Sequence, residues 1–349
     1  MWNTGRFWTL CVIPSDRFCP EEALVLLGEV LAVQLAVIPE CGEDSFAVST
    51  LPGNACLCVA DGCGGLGSKR YDKLDHHTGA YLASRLATRA VLGWWQEQQQ
   101  VPFLPTEGHL LLEDLQQEVN AVFSNFASTH CHDESSRIVG SMQRTLPTTL
   151  CALFASDRSR AGCFLWAGDS RGYTLDAAGL HQYTADDIRG NPDAFDSILL
   201  DRPLSNLICA ECIPQLHMRR FCLPEKGLLL CLSDGAFNAF SSPMELEMML
   251  LDTMIHSANL ERWQRKLEKT LSAMIQDDMT LLCCPRGFVD HDAMKQHFLP
   301  RYEQLKKEYI TPVRRKRKDR EVARAYWQRY RLEYDRTEGT PDGWQDWRI

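Results

Sequence analysis

Four acidic sites in this chain stand at the edges of apolar, strand-like runs. Asp61 follows the run Ala55 to Ala60, within Val59-Ala60-Asp61-Gly62-Cys63-Gly64-Gly65, and Asp234 follows Gly227 to Leu232, within Leu232-Ser233-Asp234-Gly235. Glu43-Asp44 precedes Ser45 to Val48, and Asp277-Asp278 precedes Met279 to Cys284. An aspartate at the end of a buried strand, followed by a glycine that lets the backbone turn and approach closely, suits a hard cation. Four acidic sites are costly to bring together unless cations neutralise them. Oxygen-only ligands select Mg2+ or Mn2+ over zinc. Taken singly, each acidic site also has an ordinary reading as a turn or cap.

Two other glycine-bearing runs offer different chemistry, and both fail on context. Gly62-Cys-Gly64-Gly-Leu-Gly67 fits G-x-G-x-x-G after a strand. The ribose-binding acid that a dinucleotide site needs about 20 residues on is missing, because His76 to Gln96 contains no Asp or Glu. Ser68-Lys69 also stands where a P-loop requires Lys-Ser/Thr. Gly168-Asp169-Ser170-Arg171-Gly172 fits G-x-S-x-G, but a nucleophile elbow joins a strand to a helix. Here Tyr173 to Thr184 reads as strand, turn, strand, so Ser170 lacks the setting of a nucleophile.

The elements around these residues alternate in blocks. Ala23 to Ile38 reads as one or two strands; Ser45 to Val48 and Ala55 to Ala60 are strands separated by Pro52-Gly53-Asn54. Helical spacing runs from about Thr78 to Gln98 and from His109 to Ser128. Strands resume at Thr148 to Ala155, Gly162 to Ala167, Gly172 to Leu175 and Leu180 to Thr184. Residues 185–222 have poor periodicity and read as an irregular insertion or flap. A buried strand, Gly227 to Leu232, then precedes helices Met244 to His256 and Asn259 to Ile275 and a last strand, Met279 to Cys284. Strands and helices in blocks favour an α+β layered fold.

Composition adds boundaries. The 45% hydrophobic content is that of a globular chain with a sizeable core. The net charge of −9 argues against nucleic-acid binding by the whole surface. From Arg301 onward there are 14 Lys and Arg against 9 Asp and Glu, so the tail is basic and the body more acidic than the total suggests. Arg314-Arg-Lys-Arg-Lys318 lies in this charged, helical-looking tail, which reads as a solvated helix, a disordered end, or a docking segment for an acidic partner, nucleic acid included. The 15 cysteines are scattered, and Cys209-Ala-Glu-Cys212 has no second CxxC to complete a zinc site, so they read as small buried hydrophobes with reduced thiols. Ala23 to Ile38 is too short and too polar to span a bilayer. The N-terminus lacks the pattern of a secretory leader, which makes cytoplasmic the default location.

Taken together and in order, the motifs resemble the metal-dependent protein phosphatase family, protein phosphatase 2C type, of bacterial kind. The residues that carry the resemblance are Glu43-Asp44, Asp61-Gly62-x-Gly64-Gly65, Pro147-Thr-Thr-Leu150, Gly168-Asp-Ser-Arg171, Asp201-Arg-Pro-Leu-Ser-Asn206, Ser233-Asp-Gly235 and Asp277-Asp-Met-Thr280. They cover about residues 23–285. The resemblance implies a four-layer α-β-β-α sandwich of two antiparallel sheets with a metal centre at one end. It implies a catalytic domain over residues 1–288, followed by a tail over 289–349. Asp61 would bridge two Mn2+ or Mg2+ ions, and the Gly62 carbonyl would ligate one of them. Asp234 and Asp277 would complete one shell, and Glu43 and Asp44 would hold the other ion, partly through water. Asp169 matches a weaker third-metal position.

The implied reaction is hydrolysis of phosphoserine and phosphothreonine in proteins by metal-activated water, with no covalent intermediate, in opposition to a Ser/Thr kinase. There are two departures from the family pattern. Pro39 stands where an arginine grips the substrate phosphate, leaving Lys69, Arg70 or an arginine of the 185–222 flap to substitute. Cys63 stands where many members have His or Met. The alternative function is a catalytically silent module of the same fold that binds phosphoproteins or a kinase.

Overall fold

In the computed structural model, which describes residues 29–98, 108–131, 143–190, 192–198, 202–316, 319–335 and 347–348, two antiparallel sheets pack face to face. Strands and helices are numbered in chain order. The six-stranded sheet has the order β13-β10-β7-β6-β3-β2, with β2 Ser45–Leu51, β3 Asn54–Ala60, β6 Leu150–Ser156, β7 Ala161–Ala167, β10 His217–Cys222 and β13 Trp347–Arg348. The five-stranded sheet has the order β1-β12-β11-β8-β9, with β1 Leu31–Leu35, β8 Arg171–Leu175, β9 Leu180–Gln182, β11 Gly227–Leu232 and β12 Met279–Arg286. A small hairpin pairs β4 Arg70–Tyr71 with β5 His77–Thr78.

The period-two geometry of a strand explains why β3 reads as one continuous apolar run. Ala55, Leu57 and Val59 join the core between the sheets, where they meet Leu153, Cys231 and Leu282. Cys56, Cys58 and Ala60 point the other way, into a second core under helices α1 Gly79–Gln98 and α2 Gly108–His130. Both faces are buried, so no polar alternation is required. On the outer face of the other sheet, Leu228, Leu230 and Leu232 pack under helices α5 Pro243–Ile255 and α6 Leu260–Ser272. The result is the expected α-β-β-α order of layers. Cys56, Cys58, Cys151, Cys231 and Cys283 are buried thiols within it, in keeping with their reading as small hydrophobes.

The register gathers the acidic motifs at one end. Ser45 opposes Ala60 and Val59 opposes Cys151, so β2 and β6 start where β3 ends. Leu150 opposes Ala167, and Leu232 opposes both Leu281 and Arg171. The edge therefore collects the ends of β3, β7 and β11 and the starts of β2, β6, β8 and β12.

Three segments differ from their sequence readings. Of Ala23 to Ile38, residues 23–28 lie outside the described residues, β1 covers Leu31–Leu35, and 36–38 lead into a turn. The 185–222 flap is irregular only to about residue 216, because β10 closes it as a regular strand of the six-stranded sheet. Arg219 and Arg220 sit in that strand only partly buried, and they obscure its alternation. After residue 288, α7 His291–Leu305, α8 Thr311–Arg315 and α9 Arg320–Tyr334 send Phe298, Trp327, Tyr330 and Tyr334 into the same core as β11 and α5. Residue 288 therefore divides motifs without dividing the packing. Arg317 and Lys318 of the basic run lie outside the described residues.

Candidate functional site

An open cleft of about 920 Å3 lies at the motif-bearing end of the sandwich. Glu43, Asp61, Gly62, Asp169, Asp234 and Asp277 all line it. Asp61 is fixed through its backbone. Its amide donates to Thr149 Oγ1 at 3.1 Å, and its carbonyl accepts from the Thr149 amide and from Thr148 Oγ1, each at 2.8 Å. Its carboxylate is left free of that scaffold and shares the cleft with Asp234.

The glycines after the two aspartates are required by close approach. A Cβ on Gly62 would lie 2.4 Å from the Ala80 carbonyl oxygen, and one on Gly235 would lie 2.1 Å from that of Asp278. Asp234 begins the short helix α4 Asp234–Asn238, which turns directly out of β11. Its Oδ2 accepts from Asn238 Nδ2 at 3.3 Å, while Oδ1 is buried with no hydrogen-bond partner.

Glu43 and Asp44 part ways. The Glu43 carboxylate stays in the cleft and accepts from Thr78 Oγ1. Asp44 lies beneath the cleft, where Oδ2 accepts from Ser233 Oγ and Thr280 Oγ1, both at 2.7 Å, and Oδ1 has no partner. Asp278 is a fastening group: its two oxygens accept from the amides of Val37 at 2.8 Å and Glu43 at 2.6 Å. Asp277 beside it is exposed and lines the cleft.

Burial and crowding raise the proton affinity of this cluster. Burial, then the Asp44 and Asp234 charges, holds Asp61 well above the usual carboxylate range. Asp169 is likewise held well above it by burial and by Asp234 and Asp186, against the opposing Arg171 charge. Glu43 and Asp234 are raised, again by burial first, and burial pushes Asp44 up to about 7. Without a cation, these groups hold protons that a free carboxyl would lose. The residues fit hard cations in two respects: every side-chain donor is an oxygen, and two buried Oδ1 atoms lack partners. As the side chains stand, no three His, Cys, Asp or Glu groups among the described residues converge to enclose an ion.

The competing readings of the sequence find no support here. Gly62 to Gly67 leads into turns and the β4–β5 hairpin, without opening a helix. Ser170 is buried at the start of β8 and hydrogen-bonds with Thr149 Oγ1 at 2.7 Å. Burial, reinforced by the charges of Asp169, Asp234 and Glu43, holds the Cys63 thiol protonated, so it is no thiolate nucleophile. Cys209 and Cys212 lie 3.1 Å apart, sulfur to sulfur, in the lining of the cleft, and among the described residues no further ligands for zinc join them.

Pro39 is exposed on a turn and does not line the cleft. Neither do Lys69 and Arg70; the Arg70 guanidinium donates instead to the His76 carbonyl at 3.0 Å. Arg144, Arg189 and Arg202 do line it. Arg189 and Arg202 belong to the flap, as the pattern suggested. Arg144 and the Thr78 contact to Glu43 have no signature in the sequence, because only the fold brings them to the cleft. Asp201 of the flap motif lies outside the described residues.

A protein phosphatase 2C family model matches residues 39–272. The chain belongs to the protein phosphatase 2C family. Members are serine/threonine protein phosphatases, and this chain has their fold. The serine/threonine phosphatase Stp1 from Staphylococcus aureus superposes with a TM-score of 0.54 at 14% identity, over 77% of this chain and 99% of that one. The Mycobacterium tuberculosis phosphatase PstP/Ppp gives 0.50 at 22% identity, over 74% and 99%. PppA of Pseudomonas aeruginosa gives 0.51 at 19%, over 75% and 99%. Comparison with curated proteins returns no match. Within this phosphatase 2C chain, Asp277 and helices α7 to α9 lie beyond the matched residues, although β12 is an interior strand of its sheet. Among the described residues, no helix is long and apolar enough to cross a membrane.

Proposed function

We propose that this chain hydrolyses phosphoserine and phosphothreonine in proteins, with two Mn2+ or Mg2+ ions held by the cleft carboxylates. The observation that carries this reading is the convergence of Glu43, Asp61, Gly62, Asp169, Asp234 and Asp277 on one cleft, with Asp234 Oδ1 buried and unpartnered. Asp61 would serve both ions; the Gly62 carbonyl, Asp234 and Asp277 would help hold one of them, and Glu43 would hold the other. Asp44, beneath the cleft, would help hold that second ion through water, and Asp169 would hold a third, weaker ion. Bound divalent ions would supply Lewis acidity, making water nucleophilic near neutral pH and neutralising phosphoryl oxygens.

The protein's own residues do the remaining work. Thr148 and Thr149 clamp the Asp61 backbone, and Thr78 orients the Glu43 carboxylate. Arg189 and Arg202 take the place of the guanidinium missing at Pro39 and bind the substrate phosphate by charge-assisted hydrogen bonds. The substrate is then the product of a Ser/Thr kinase. A silent binding module is the weaker reading, because every acidic motif is retained.

The test is phosphate release from phosphoserine and phosphothreonine peptides. Release with Mn2+ or Mg2+ that stops on adding chelator is the expected result. Release unaffected by chelator would sink the two-metal reading, and cation binding without turnover would favour the silent module.

A further inference from the structure

Helix α9 lies beyond the residues that match the family model, yet it grips the segment that carries the flap arginines. Arg324 Nη1 donates to Asp196 Oδ2 at 3.1 Å, and Arg320 Nη2 donates to Asp196 Oδ1 at 3.2 Å. Trp327 Nε1 donates to Asp193 Oδ2 at 3.1 Å, and Arg331 reaches the same oxygen at 3.4 Å. Asp193 also caps the short helix α3 Ala194–Ser197, its Oδ1 accepting from the amides of Phe195 and Asp196 at 3.1 and 2.9 Å. Phe195 is buried and stacks on Trp327, with ring centroids 6.0 Å apart. Trp327, Tyr330 and Tyr334 are core residues, so this face of α9 is anchored to the body.

From α3 the contacts lead to the cleft. Ser197 Oγ accepts from Arg171 Nη2, and the Arg171 guanidinium also forms a two-pronged pair with Asp186 at 2.9 and 2.6 Å. Asp187 accepts from the Gly168 amide at 3.0 Å and from Asn206 Nδ2 at 2.7 Å. The Arg189 amide donates to the Pro203 carbonyl at 3.2 Å, and Arg202 Nη1 donates to the Arg189 carbonyl at 3.1 Å. The flap is thus tied on one side to the Gly168–Arg171 loop beside Asp169 and on the other to α9.

We propose that α9 is a positioning element for substrate binding: its contacts with Asp193 and Asp196 hold the flap so that Arg189 and Arg202 meet the substrate phosphate. The inference rests on the phosphatase reading above. The Arg320 and Arg324 side chains are 49% and 41% exposed, so their pairs add little to global stability and their loss should leave the chain folded. What they supply is order in the flap, which acts on substrate affinity more than on the chemical step.

The test uses the full chain, with Arg320→Ala/Arg324→Ala, the Arg320→Lys/Arg324→Lys pair, Arg189→Ala/Arg202→Ala and the combination of the two alanine pairs. It reads KM and kcat on a phosphothreonine peptide, together with amide hydrogen exchange across residues 186–198. Removing the clamp should raise KM about five-fold, keep kcat within about two-fold and speed flap exchange, with the lysine pair restoring most of the loss. In the Arg189→Ala/Arg202→Ala background, removing the clamp should add nothing to KM. Unchanged KM and exchange, or an equal rise in KM without the flap arginines, would overturn the proposal. Should the wild-type chain not turn over at all, the phosphatase reading fails. Exchange alone then judges the clamp: faster flap exchange upholds it and unchanged exchange rejects it.

Discussion

Asp61, directly after β3, and Asp234, at the start of α4, come from opposite sheets of the sandwich and meet in one cleft, where the Asp234 charge adds to burial in raising the proton affinity of Asp61. Two carboxylates in this relation share protons or share a cation. The pair links the ends of the two sheets in the cleft that the acidic motifs line.

Removing one member should therefore uncouple activity from stability. Asp61→Asn and Asp234→Asn should each lower kcat/KM at least about a hundred-fold with Mn2+ present. The metal-free variants should melt higher than the metal-free parent at neutral pH, because an amide removes the cost of burying and protonating one of two crowded carboxyls. Activity assays and thermal melts in chelator check both halves. A variant that loses stability along with activity would contradict the shared-proton arrangement.

Asp44 gives a pH dependence with a definite sign. Burial pushes its pKa from 3.8 up to about 7, so the folded state binds its proton more tightly than the unfolded state does. The contribution to metal-free stability is full below about pH 4 and falls as pH rises through about 7, by an amount on the order of a few kcal/mol. Denaturant melts in chelator at pH 5 and pH 8 should show lower stability at pH 8 for the parent. The difference should shrink in Asp44→Asn.

Cation binding should release protons. The raised affinities of Asp61, Asp169, Asp234 and Glu43 all place protons where a cation would sit. Calorimetric titration with Mn2+ near pH 6.5 should give heats that vary with the ionisation enthalpy of the buffer. Heats independent of buffer would show that the carboxylates are already ionised.

The C-terminal helices should behave as part of the core. Arg301 is buried and donates to both oxygens of the buried Glu247, at 2.6 and 2.9 Å, and the Tyr330 hydroxyl from α9 completes the set. Arg301→Ala leaves an unpaired buried carboxylate and should cost about 3–5 kcal/mol in chemical denaturation. Since Arg301 lies far from the acidic motifs in sequence and outside the cleft lining, kcat of the folded fraction should be retained.

Much of the cleft's acidic lining was legible because its signals are local. An aspartate that ends an apolar run and precedes a glycine announces a strand end, and Asp61 and Asp234 both do so. The depth of Asp44 was not legible: its place beneath the cleft follows from hydroxyls that Ser233 and Thr280 bring from distant strands. In β10, Arg219 and Arg220 masked a strand that sheet pairing enforces. In the tail, charge outnumbered the aromatic stripe Trp327, Tyr330 and Tyr334, although three- and four-residue spacing puts these rings on one helical face. The flap arginines were legible as candidates, but their support from α9 depends on tertiary contacts alone.

The most direct measurement is equilibrium dialysis against Mn2+, counting ions bound per chain, with phosphate release from a phosphothreonine peptide measured on the same samples. Two tightly held ions per chain, with turnover rising as they bind and both lost in Asp61→Asn, is the expected result. Turnover in samples that hold no Mn2+ or other divalent ion would contradict it.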